Sequence, residues 1–351
     1  MTWYVALGLF LCLFWTLAGP LLSRRVEERL EWFVLGLGVA AVTISWSWSE
    51  TAVIEAFLRP MKLCGALLVG ALVFSFSHDA IRRGIRRAMD RLGLPLAVGL
   101  AVALCGFAAG LFTMAVAVFA LVEILHALRL ERESEVHAAV LGCFAIGIGG
   151  ALSPIGGPAS AIAMSKLAGG PYEVGPGYLL GLLGPWAVPA VLGLGAAAGL
   201  LSARPAPDRD APLPEDPLSL WSILVMTGRL YVFTAGLVLL GAGLVPFIDS
   251  FLIAAPPGLL FWANSVSALV DNASLAAIEI SPRMSQNQLR YILLSIAVVD
   301  GALVTANAPN LVAAHKLKIA ARDWARAGLP AAAVLMVVYF LSLAAHAGLA
   351  R

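Results

Sequence analysis

The chain has 351 residues, 60% hydrophobic and only 13% charged, with a net charge of +2 and a mean hydropathy of +0.90. A soluble domain has roughly 45–50% apolar and about 25% charged residues, so an ordinary soluble globule and a disordered chain are both excluded. The apolar residues fall into stretches of about 20, the length that crosses about 30 Å of hydrocarbon; an outer-membrane barrel would instead show alternating strands of about ten.

The first predicted span covers about 3–22. It lacks a basic n-region and is too long for a signal peptide. A second follows at 31–48 and a third at 60–77, then an Arg-rich polar segment at 78–93. The next apolar stretch, 94–128, is too long for one span. After the charged loop 130–135, residues 137–168 are apolar but interrupted by Ser153-Pro154-Ile155-Gly156-Gly157-Pro158. A span at 176–202 leads into ARPAPDRDAPLPEDPL at 203–218, whose prolines and aspartates forbid a membrane helix. The second half has a span at 219–247, a long stretch at 250–280 broken near Pro256-Pro257-Gly258, a stretch at 287–319 interrupted around 306–310, and a final span at 328–349. Cys12, Cys64, Cys105 and Cys143 all sit in apolar stretches without a C-x-x-C and read as buried single thiols.

Basic residues prefer the cytoplasmic face. Arg24, Arg25 and Arg29, the arginines of 82–91, Arg129 and Arg132, Arg204 and Arg209, and Lys316 to Arg326 all fall on one face under a single condition. The stretches 94–128 and 250–280 must enter and leave the membrane on the same side, as re-entrant hairpins. Both termini are then outside, and 203–218 is a cytoplasmic linker.

Two pairs of segments match across that linker. Gly150-Ala151-Leu152 precedes Pro158 as Gly301-Ala302-Leu303 precedes Pro309, and Ala120-Leu121-Val122-Glu123-Ile124 resembles Ala276-Ala277-Ile278-Glu279-Ile280. The expected architecture is an all-α polytopic membrane protein. Residues 1–59 form N-terminal spans, 60–202 a first repeat (hairpin 94–128, broken helix 137–168), and 219–351 a second, inverted repeat (hairpin 250–280, broken helix 287–319). Inverted repeats with discontinuous helices and a midplane site are a recurrent transporter plan.

The interruptions are where chemistry is expected. Irregular backbone at membrane depth is tolerated only against protein or a wet cavity. Pro158 removes an amide donor, and Gly156 and Gly157 admit a ligand close to the backbone. The second interruption adds the amide oxygens of Asn307 and Asn310. A helix broken in mid-membrane offers N–H groups to anions at one end and C=O groups to cations at the other. The segment 264–274 in the second hairpin is the sharpest candidate. There Asp271 can titrate or coordinate a cation such as Na⁺, with Asn264, Ser267, Asn272 and Ser274 supplying neutral oxygens; a hairpin-tip turn or helix cap accounts for the same residues. Asp300, just before the second interruption, is another candidate for proton coupling. The first hairpin carries Thr113-Met114-Ala115 where Asp271 stands in the second, so the site is chemically lopsided. Arg229 reads as snorkelling to the interface. The five histidines lack metal-ligand spacing. No G-x-x-x-x-G-K-[ST] loop supports an ATP-driven pump, no nucleophile–base pattern marks an enzyme, and no cofactor or nucleic-acid partner is expected.

ALVDNASLAAIEI (268–280), ALSPIGGPASAIAMSKL (151–167) and ANAPNLVAAHKLKI (306–319) resemble the ion-transporter superfamily. That group includes sodium/proton antiporters, arsenite permeases and dicarboxylate symporters; the match is nearest to a little-characterised prokaryotic family of cation transporters. The resemblance implies a prokaryotic cytoplasmic (inner) membrane protein in which hairpin tips and unwound helix centres meet. It points to Asp271, Asn272, Asn307 and Asn310 from one half and to Thr113, Ser153, Gly156 and Gly157 from the other. The dicarboxylate branch's paired Ser-Asn-Thr signatures are absent, and the antiporter branch's acidic-asparagine pair occurs in one hairpin only. The expected function is Na⁺/H⁺ antiport. The alternatives are Na⁺- or H⁺-coupled transport of an oxyanion or carboxylate, and a non-transporting membrane scaffold. Partners would be the lipid bilayer and a small inorganic ion or anion, with a homodimer left open.

Overall fold

The structure is a computed structural model. It describes residues 3–58, 60–61, 64–65, 91–167, 172, 174–202, 204–206, 220–252, 256–267, 276, 280 and 284–349. Among these the chain is helical, and the only bridge between extended residues joins Leu130 to Pro205. Four helices are long and apolar enough to cross a membrane, over Leu94–Leu111, Tyr178–Leu201, Thr227–Leu244 and Ala321–His346, and this architecture is compatible with a helical membrane protein.

In chain order the helices are α1 (Trp3–Leu22), α2 (Arg24–Glu28), α3 (Leu30–Ser45), α4 (Leu94–Leu111), α5 (Met114–Leu128), α6 (Arg132–Gly150) and α7 (Pro158–Leu167). They continue with α8 (Tyr178–Leu201), α9 (Leu220–Leu252), α10 (Pro257–Ser267), α11 (Gln286–Val299), α12 (Ala308–Lys316) and α13 (Ala321–Leu349). Local sequence sets several of their ends. Thr113 caps α5, its Oγ1 accepting from Val116 N at 3.2 Å. Ser285 and Gln288 form a reciprocal capping box at the start of α11 (3.2 and 2.9 Å), satisfying two otherwise orphaned amides. Arg129 ends α5 in the left-handed region. The turn after α5 is pinned to residues 204–206 by Glu131 N to Arg204 O (2.8 Å) and Ala206 N to Arg129 O (2.9 Å).

The long stretch 94–128 is two helices, α4 and α5, packed on each other across the break at Phe112-Thr113. The stretch 137–168 is likewise α6 and α7, interrupted between Gly150 and Pro158. In the second half the interruption begins earlier than its proline suggests. Helix α11 ends at Val299 and α12 resumes at Ala308, so Asn310 is a helical residue. Proline is tolerated in the first turn of a helix, where its missing N–H has no intrahelical partner, so Pro309 sits in the first turn of α12 and the break lies just before it. Part of the predicted second hairpin, including Asp271 and Asn272, and most of the third predicted span with its Arg-rich segment lie outside the described residues.

Packing depends on small residues. α4 lies against α5, α6 and α8, and α3 lies along α9. Without a strong hydrophobic drive between helices in lipid, close backbone approach through small residues supplies the contact energy. Gly149 of α6 faces Gly106 of α4 so closely that a Cβ on Gly149 would overlap the Gly106 carbonyl. Gly149→Val is therefore expected to cost about 3 kcal/mol or more, measured as a lowered Tm of the purified protein. The two halves meet through α6 against α11, α12 and α13, and through α5 against α12. Cys12, Cys64, Cys105 and Cys143 are buried free thiols.

Candidate functional site

The two interruptions are neighbours. Gly147 of α6 packs on Ala297 and Asp300 of the second half: a Cβ built on Gly147 would lie 3.2 Å from Ala297 O, 3.2 Å from Asp300 Cβ and 3.6 Å from Asp300 Oδ2. One turn further along α6, the side chain of Met114 fills the space beside Gly150 and Gly157. A Cβ on either glycine would come within 2.5 or 2.7 Å of Met114 Cε. Asn307 reaches the same point from the second half, its Nδ2 donating to Met114 Sδ at 3.8 Å. Gly147 and Gly150 are about 5 Å apart along the helix axis, so Asp300 and Met114 touch one short stretch of α6.

The interruptions share a hydrogen-bond pattern displaced by 150 residues. In the first, Leu152 N donates to Gly149 O (3.1 Å), Gly156 N to Ser153 O (3.2 Å) and Ala161 N to Gly157 O (3.1 Å). In the second, Ala302 N donates to Val299 O (3.0 Å), Ala306 N to Leu303 O (3.1 Å) and Leu311 N to Asn307 O (3.4 Å). A side chain ten residues on closes each. Ser160 Oγ donates to Gly150 O at 3.2 Å, and Asn310 Nδ2 donates to Asp300 O and to Leu303 O (2.8 Å). This register places Gly150 opposite Asp300, one residue off the Gly150–Gly301 pairing that the two Gly-Ala-Leu triplets suggest. Backbone geometry decides between the two, because the turn pattern is fixed by which carbonyls each amide can reach.

The candidate residues separate into three groups. Thr113, Gly156, Gly157 and Asn307 gather around Met114, and Ser153 lies in the same interruption. Ser153 Oγ donates to Gly110 O, tying the interruption to the end of α4. Gly156 O accepts from Met114 N at 2.9 Å, so that carbonyl is engaged in joining α5 to the interruption. Asp300 and Asn310 form the second group. Asp300 is 4% exposed and Asn310 is 1% exposed. Asn310 uses its amide nitrogen to hold the interrupted backbone, which makes it a structural brace as well as a source of one amide oxygen. Asn264 stands apart: it is fully buried on α10 and donates to Ser295 Oγ of α11 at 3.1 Å, about 7 Å below Asp300 along that helix. Asp271 and Asn272, and the Ser267 side chain, lie outside the described residues.

Some residues of the site have little signal in the sequence. Met114 reads there only as the absence of an acid. Trp324, fully buried near the start of α13, donates from Nε1 to Gly301 O at 3.1 Å; nothing in its spacing announces this. Ser160 could be found by its ten-residue separation from Gly150, the same as that of Asn310 from Asp300. Arg229 does more than snorkel: its Nε lies 3.7 Å from Glu31 Oε1, with Glu31 largely buried on α3.

Helix ends give the site its electrostatics. α6 and α11 bring their C-terminal ends to Asp300, where the aligned peptide dipoles of each helix place about half a negative charge. α5, α7 and α12 bring their N-termini to the surroundings of Met114, where the potential is positive. Oxygen ligands or a proton acceptor thus lie beside Gly147, and anion-attracting amides lie one turn further on, beside Gly150. Among the described residues no group of three His, Cys, Asp or Glu side chains is placed to hold a metal ion.

No curated protein matches the chain. A family model described as "Protein of unknown function (DUF1646)" matches residues 6–345, nearly the whole length, and the chain belongs to that family.

Proposed function

We propose that the protein is a secondary active transporter exchanging a monovalent cation, Na⁺ foremost, for protons at a site where its two interrupted helices meet. The observation that carries this is the placement of Asp300. It is a buried carboxylate at the C-terminal end of α11, packed on Gly147 near the C-terminal end of α6. Burial and two negative helix ends raise the cost of a negative charge there, and a cation or a proton beside it offsets that cost. Intramembrane carboxylates of this kind mark ion paths and proton relays.

Further support comes from the hydrogen-bond pattern that recurs 150 residues on, which fits a repeated architecture. The basic residues on one face add the inversion of the two repeats, a cytoplasmic membrane location and outside termini. In this scheme α4–α5 is a re-entrant hairpin. The second hairpin brings Asp271 and Asn272 to the same site, with Asp271 a Na⁺ ligand.

A second function is favoured by a different observation. The N-termini of α5, α7 and α12 converge on Met114, an arrangement that suits an oxyanion or carboxylate, with Na⁺ or H⁺ as the coupling ion.

Proteoliposomes enclosing a pH-sensitive dye separate the two. Antiport predicts proton movement on imposing a Na⁺ gradient with no organic or oxyanion substrate present, and its loss in Asp271→Asn. Flux that appears only when an anion is added selects the second function. Flux unchanged in Asp271→Asn removes Asp271 from the site, and absence of any gradient-driven flux overturns transport altogether.

A further inference from the structure

Away from the interruptions, α6, α8 and α13 enclose an elongated crevice of about 690 Å³, within the size range of ligand pockets. Three prolines line it, Pro185 and Pro189 in α8 and Pro330 in α13. A proline inside a helix removes a backbone hydrogen bond and bends the axis. The lining is otherwise mostly apolar, and Val334 and Val338 at its edge are 63% and 56% exposed. In a bilayer such an edge faces acyl chains.

One end of the crevice is basic. Arg326 and His137 line it there. They lie at the same end because Arg132, at the start of α6, donates to Leu317 O (2.7 Å) and to Lys318 O, just ahead of α13. Arg326 has an ion pair with Asp323 at 3.5 Å, but both side chains are largely exposed (66% and 47%). Such pairs are weak, so the guanidinium can serve a second anion. Arg322 adds further positive charge at the start of α13, on an exposed position. The far end is closed by Tyr339, whose hydroxyl donates to Trp186 O at 3.2 Å, and by the Trp186 ring stacked edge-on to His346. From Arg326 to Tyr339 the crevice runs about 20 Å along α13, somewhat more than the ~15 Å of one leaflet's hydrocarbon.

We propose that this crevice binds an anionic phospholipid, with one acyl chain lying between α8 and α13 and the headgroup phosphate on Arg326. An apolar slot one leaflet deep, open to the side and basic at one end, matches that chemistry. Basic pockets between membrane helices recognise anionic headgroups in this way. The inference rests on the bilayer setting and not on the transport function.

Thermal unfolding of the full chain in detergent, with added phosphatidylglycerol or phosphatidylcholine, tests it. Phosphatidylglycerol is expected to raise Tm by about 2 °C or more and phosphatidylcholine by less. Ala331→Trp, which fills the crevice, should abolish the phosphatidylglycerol shift; Ala190→Leu, a smaller filling from the opposite wall, serves where Ala331→Trp does not fold. Arg326→Gln should equalise the two lipids. Leu180→Trp, at an exposed α8 position outside the lining, should keep both shifts and their difference. Equal response of the unaltered protein to the two lipids would overturn the proposal. So would an unchanged shift in the filled variant, loss of the shift in Leu180→Trp, or the same stabilisation by inorganic phosphate. A filled variant that keeps its lipid shift but loses self-association would make a second copy the occupant instead.

Discussion

Asp300→Asn is expected to reduce Na⁺-driven proton flux in proteoliposomes to background while leaving the protein folded, with its Tm unchanged or raised. The amide keeps the volume and the hydrogen-bonding capacity of the carboxyl but cannot exchange a proton. Stability should not fall, because the substitution removes a charge that burial and the C-terminal ends of α6 and α11 all disfavour. The combination is diagnostic. A carboxylate retained only to hold the interrupted backbone would lose stability on amidation, and flux would fall only in proportion to the folded fraction. Wild-type flux in Asp300→Asn would exclude it from the ion path. Na⁺ binding that survives in Asp300→Asn while proton flux is lost would keep the residue as the proton site and move the cation elsewhere, towards Asp271.

The second large effect concerns the support of the interruption. Asn310→Leu is expected to lower stability by about 2–4 kcal/mol, since it leaves two buried carbonyls, Asp300 O and Leu303 O, without this donor. The matching change in the first half, Ser160→Ala, removes a single 3.2 Å bond to Gly150 O and should cost about 1 kcal/mol. Thermal or denaturant unfolding of the two variants compares them directly. Equal costs, or a smaller cost for Asn310→Leu, would mean that the amide does not carry the backbone of the second interruption. Because Asn310 also holds the carbonyl of Asp300 itself, Asn310→Leu should impair transport beyond its effect on stability, whereas Ser160→Ala should leave transport near that of the unaltered protein.

Asp300 and Gly147 show what sequence alone could supply. An acid within an apolar stretch is conspicuous anywhere, because hydrocarbon penalises charge, and Asp300 is legible for that reason. Its partner on α6 is not. Gly147 is one of several glycines in a run that reads only as small and apolar, and it matters because a helix from the other half crosses there. Met114 is similar: a methionine next to a helix cap carries no signal of its own, yet its flexible side chain fills the gap between Gly150, Gly157 and Asn307.

The sequence by itself determined that the chain is built from long apolar helices, that two of its stretches are interrupted near Pro158 and Pro309, and that the stretch 94–128 is more than one helix. These follow from local rules: hydrophobic length, and the amide that proline lacks. Tertiary structure alone decided where the second interruption starts, and the one-residue register that sets Gly150 opposite Asp300. It also decided the use of Asn310 and Trp324 to satisfy freed carbonyls, and the placing of the Arg326 crevice between α6, α8 and α13. Each depends on which backbone groups from distant segments come within hydrogen-bonding or van der Waals reach, and a pattern read along one chain does not contain those distances.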